Sequence, residues 1–109
     1  MAIQLRDRKS MSSGSTRNVM IDLSEDLQAG DTLVDPPIVT TTTGMSITNK
    51  HINNVQLFDK VHNRYVEAGT AVTFTVASST PGSYTIAFQA TTSASPAENL
   101  AYELVLTVV

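Results

Sequence analysis

Two histidines, His51 and His62, are the side chains of this 109-residue sequence best suited to acid–base or metal chemistry. A zinc site needs three or four nitrogen, sulfur or carboxylate ligands held close together. The candidates near the histidines are Asp59 and Asn63, and neither their spacing nor a third strong ligand completes a set. Both histidines therefore read as structural or solvated. Cysteine is absent, which removes thiolate ligands, disulfides and a thiol nucleophile. A nucleophile must then come from the Ser and Thr hydroxyls, yet no Gly-x-Ser-x-Gly elbow is present to activate one. The glycines are scattered singly, so no phosphate-cradling loop is expected. Asp22, Asp26, Asp31 and Asp35 could meet as a calcium site, but they lack the ligand regularity of an EF-hand. Solvated acids around a turn are the simpler reading. Sugar recognition on β structure uses exposed aromatic platforms; Trp is absent, and Tyr65 is the only ring that the hydrophobic pattern leaves free. No catalytic, metal-binding or cofactor-binding residue is expected, and the chain does not read as an enzyme.

Composition narrows the class further. A chain of this length suits one domain with a single core. Only 16% of residues are charged, and Ser plus Thr make up roughly a quarter. Thr packs well on a pleated surface, so this balance leans towards β structure. No apolar run is long enough to span a membrane, and the N-terminus lacks the apolar core of an ordinary secretory leader.

The net charge of −3 hides a split, with +3 up to Asn18 and −6 from Val19 onward. Residues 1–17 contain Ser-Met-Ser-Ser-Gly-Ser and show no sustained period, as expected of an extended, flexible arm. Two readings of this arm stand. It is a solvated tail, or it docks on a neighbouring subunit through Ile3, Leu5, Arg6, Arg8, Lys9, Met11 and Arg17. Nucleic acid is not an expected partner, because the arm is only modestly basic, has no interleaved aromatics and sits beside an acidic body.

The elements that would position any site are strands. Val72, Phe74 and Val76 recur at every second position, as do Tyr84, Ile86, Phe88 and Ala90, and then Tyr102, Leu104, Leu106 and Val108, with Thr73, Thr75, Thr85 and Gln89 on the opposite faces. A period of two marks a strand with one buried face. Pro81-Gly82 turns the chain between the first two of these segments, and the loop Ser93 to Asn99 closes a hairpin between the last two. Gly82-Ser83-Tyr84-Thr85-Ile86 has the spacing of a tyrosine corner, in which a Tyr hydroxyl ties down a crossover between sheets.

Earlier strands are expected at Asn18 to Asp22, at Thr32 to Asp35 with a resumption at Ile38-Val39, at Met45 to Asn49 and at Val55 to Phe58. Ser24 is expected to cap one helical turn with Glu25 and Asp26 behind it. Pro36-Pro37 should mark an edge, a bulge or a crossing, since proline cannot donate to a ladder. Tyr65 to Gly69 fits neither strand nor turn clearly. About seven short strands with regular turn signals and no long helical period argue for an all-β, antiparallel sandwich over residues 18–109.

The ordered set Asp22-Leu23-Ser24, Leu27-Gln28-Ala29-Gly30-Asp31-Thr32-Leu33, Pro81-Gly82-Ser83-Tyr84-Thr85-Ile86 and Thr91-Thr92-Ser93 resembles small virion structural proteins of tailed bacteriophages with immunoglobulin-like folds. It departs from them at Leu23, where an aromatic is usual, and at Ala94-Ser95-Pro96-Ala97, where Gly-Arg is usual. The resemblance implies an immunoglobulin-like sandwich and a non-enzymatic protein on the capsid surface that decorates or cements it. The implied partners are the major capsid protein and neighbouring copies of the chain. A tail, fibre or head-completion component is an alternative. A bacterial surface or carbohydrate-binding module is another.

Overall fold

The computed structural model describes residues 4–60 and 62–109. The strands are β1 (Gln4–Met11), β2 (Thr16–Asp22), β3 (Leu33–Thr41), β4 (Ser46–Ile52), β5 (Leu57–Asp59), β6 (Arg64–Val66), β7 (Ala71–Ala77), β8 (Gly82–Thr92) and β9 (Asn99–Val108). They form a four-stranded sheet in the order β1-β9-β8-β3, a three-stranded sheet β2-β7-β4, and a β5-β6 pair. The architecture is all-β, and its pairings are antiparallel apart from β1 beside β9. The expected count of about seven strands is exceeded because residues 4–11 and Arg64–Val66 both pair.

The alternating segments occupy the centre. Phe74, Val76, Ile86, Phe88, Leu104 and Leu106 are each no more than 2% exposed. Tyr84 and Tyr102 join them in one cluster, to which β2 adds Val19 and Ile21 and β3 adds Leu33 and Val39. The two larger sheets therefore share a single apolar core. Phe88 packs between Phe74 and Tyr102, with ring centroids 6.5 and 5.9 Å apart. The alternate residues Thr73, Thr75, Thr85 and Gln89 are half-buried on the outer faces.

The tyrosine corner forms. Tyr84 Oη donates to the Thr80 carbonyl at 2.8 Å and lies 3.3 Å from Ser78 Oγ, which in turn donates to the Gly44 carbonyl at 2.9 Å. Gly44 has φ +105°, and a Cβ there would come within 3.1 Å of the Tyr84 ring, so the turn between β3 and β4 can close onto the tyrosine only at glycine.

Two local expectations need correction, and a third is met. Residues 4–11 do not hang from the body as a flexible arm: they pair in parallel with β9, from Gln4 opposite Tyr102 to Met11 opposite Val108. Val109 and Met11 add a backbone bond of 2.9 Å at the end of the pair. The polar composition concealed this, because an edge strand needs ladder bonds more than an apolar stripe. Ser24 does not cap its turn, a single 3-10 turn at Ser24–Asp26; the Asp22 carboxylate accepts the Ser24 N–H at 2.9 Å instead. Pro36-Pro37 falls, as expected, at a sheet edge and a bulge. The edge strand β3 continues through it, and the pairing with β8 shifts register between Val34 and Ile38.

Candidate interaction surface

Large apolar side chains are buried through most of the core strands, so the ones left in solvent stand out. Val55, Phe58 and Tyr65 are 58%, 46% and 66% exposed, and all three lie on or beside the β5-β6 hairpin. Phe58 sits opposite Tyr65 in the register, which puts both rings on one face. They meet edge to face, with centroids 5.1 Å apart and planes at 69°. Beside them Gln56 Nε2 donates to Glu67 Oε1 at 2.8 Å. The opposite face of the hairpin is buried through Val66 and Asp59, with Leu57 partly covered.

Asn53 holds this hairpin in place. It is 3% exposed, and its amide makes four bonds. Nδ2 donates to the carbonyls of Val55 at 3.0 Å and Glu67 at 2.8 Å, one at each end of the hairpin segment. Oδ1 accepts from the Thr70 and Ala71 N–H groups at 3.1 and 2.9 Å, which fixes the start of β7. A primary amide offers two donors and one acceptor oxygen, and this site uses all of them. The hairpin is therefore clamped at its base while its outer face stays open.

Charge adds a second tether. Arg64 Nη2 reaches Asp22 Oδ2 at 2.7 Å, and Nη1 reaches Glu25 at 3.5 Å. The Asp22 side chain is only 8% exposed, whereas Glu25 is 71% exposed, so the first contact is the stronger of the two. Between the strands, Asp59 Oδ2 lies 2.7 Å from His62 Nδ1 and Oδ1 accepts the His62 N–H at 3.3 Å. Asn63 takes φ +52°, a left-handed conformation that Asn tolerates. A concavity of about 320 Å³ lies between Leu57 and the outer face of the three-stranded sheet, lined in part by Met20, His51 and Thr73.

The residues first considered for chemistry occupy separate places. His51 lies on β4, with Nδ1 2.7 Å from the Asn49 carbonyl and Nε2 2.7 Å from the Thr73 hydroxyl, while His62 lies in the hairpin turn. Asp22 is committed to Arg64 and Ser24, and Asp35 accepts the Ile52 N–H at 2.6 Å. Among the described residues no three His, Cys, Asp or Glu side chains gather as a metal site. Among the described residues, too, no helix is long and apolar enough to cross a membrane.

Of the residues assigned to the arm, Ile3 lies outside the described part. Leu5, Arg6, Arg8 and Lys9 are strand positions of β1. Met11 is 6% exposed in the core and so cannot be a docking contact. Arg17 is exposed on β2, opposite Val76. Phe58 was not expected as a surface ring. The signal available was the polar turn after Asp59 followed by Arg64-Tyr65-Val66, which pairs the two aromatics. The chain matches no protein-family model, no curated relative and no solved structure.

Proposed function

We propose that this chain is an immunoglobulin-like β-sandwich acting as a non-enzymatic virion structural protein, placed on the capsid surface of a tailed bacteriophage to cement contacts between capsomers. Two large sheets over one core, joined by a crossover tied at Tyr84, support the sandwich type. The ordered resemblance from Asp22 to Ser93 supports the virion role. The observation that carries a binding rather than a catalytic role is the Phe58–Tyr65 pair, held exposed on a hairpin clamped by Asn53. Exposed aromatics on a rigid support are what a docking surface needs, because little side-chain entropy is lost on contact. With residues 4–11 engaged in the sheet, the hairpin replaces the arm as the contact element. A carbohydrate-binding module is the second reading, favoured by the same ring pair with the Gln56–Glu67 amide–carboxylate pair beside it.

Immunogold labelling of purified phage particles with an antibody to this chain tests the proposal. Label spread over the heads is expected. Label confined to tails moves the assignment to a tail or head-completion component, and particles without label overturn the virion reading.

A further inference from the structure

His51 and Thr73 stand opposite each other in the β4-β7 pair, and their side chains meet. The pairing shifts register between Thr48 and His51, and Asn49 takes the left-handed φ of +57° there. Bulges of this kind re-aim side chains. At this one the Asn49 carbonyl lies 2.7 Å from His51 Nδ1, and Thr73 Oγ1 lies 2.7 Å from His51 Nε2. A carbonyl only accepts, so the neutral ring carries its proton on Nδ1 and offers the Nε2 lone pair to the Thr73 hydroxyl. The other acceptor in reach of that hydroxyl, the His51 carbonyl, is farther away at 3.2 Å. A hydroxyl, an imidazole base and a third group that orients the base are the parts of an activated nucleophile.

We propose that Thr73 is a site of acyl modification, at which its hydroxyl takes the acyl group of a neutral, short-chain ester with His51 as general base. Thr73 Oγ1 bonds to the acyl carbon and its proton passes to His51 Nε2. The ester C–O bond then breaks, and the departing alkoxide takes that proton from Nε2 and leaves as the alcohol. The concavity of about 320 Å³ beside the pair gives the acyl group room, with Met20 and Leu57 in its lining. No Asp, Glu, Lys or Arg lines it, which suits an uncharged group. Thr75 supplies the contrast on the same face of β7: its hydroxyl donates to Asn18 Oδ1 at 2.9 Å, an amide oxygen too weakly basic to take the proton. One acyl transfer per chain is a modification and not turnover, so the inference is independent of the virion reading.

Incubation of the purified full-length chain with p-nitrophenyl acetate is the test, with acetyl groups located by tandem mass spectrometry of its peptides. Thr73 should be acetylated about tenfold or more ahead of Thr75. His51→Gln should slow acetylation of Thr73 by about a hundredfold, near the lower end of what a positioned general base supplies. His51 is exposed, and circular dichroism checks that the variant keeps its fold. The comparison with Thr75 is made within the unsubstituted chain and does not depend on that variant. Thr73 acetylated no faster than Thr75, or at the same rate in His51→Gln, overturns the proposal.

Discussion

Asn53→Ala should be the most informative single substitution outside the apolar core. It removes four hydrogen bonds of 2.8–3.1 Å. Their loss is unequal. Val55 and Glu67 are exposed residues, so water can replace the amide at their carbonyls, at a cost of about 0.5–1 kcal/mol each. The Thr70 N–H is half-buried and falls in the same range. Ala71 is 0% exposed, so its N–H loses its partner where water cannot reach, which costs about 2–3 kcal/mol. The total is about 3.5–6 kcal/mol, a large share of the 5–15 kcal/mol typical of a domain this size. In urea denaturation this should appear as a midpoint lowered by about 2 M at an unchanged slope. Proteolysis should cut first in the hairpin, whose two ends the amide joins. Asn53→Asp keeps the acceptor and loses both donors, so its cost should come from the Val55 and Glu67 side of the network. A loss below about 1 kcal/mol for Asn53→Ala, with the hairpin still protected, would refute the idea that this amide is the clamp.

Further outcomes follow from packing and pairing. Phe88→Ala empties the position between Phe74 and Tyr102 and should cost about 3–5 kcal/mol, read as a lowered urea midpoint. Tyr84→Phe keeps the ring but loses the bond to the Thr80 carbonyl, and should cost about 1 kcal/mol with the fold retained by circular dichroism. Deleting residues 1–11 strips β1 from β9 and takes Met11 from the core, so the product should melt earlier and aggregate through the bared β9 edge. An unchanged melting temperature and a soluble truncated chain would restore the arm as a separate appendage.

The sequence by itself determined the central strands. Alternation from Val72 to Val76, Tyr84 to Ala90 and Tyr102 to Val108 requires a buried face in each, since one side of every segment is apolar and a strand turns alternate residues to opposite sides. The tyrosine corner was legible for a similar reason: its Tyr and the upstream carbonyl lie four residues apart, so local chain geometry brings them together. Tertiary structure decided what depends on distant partners. Residues 4–11 carry no pattern that names β9, about 98 positions away, as their neighbour. The short run Val55-Gln56-Leu57-Phe58 places apolar residues on both faces, so only the burial of Val66 and the partial covering of Leu57 beneath the hairpin leave Phe58 outside. Asn53 looks in sequence like any polar loop residue. It becomes the clamp because chain segments from both sides of the hairpin converge on it, and one of the backbone groups it meets, the Ala71 N–H, is shut away from water and must find a partner.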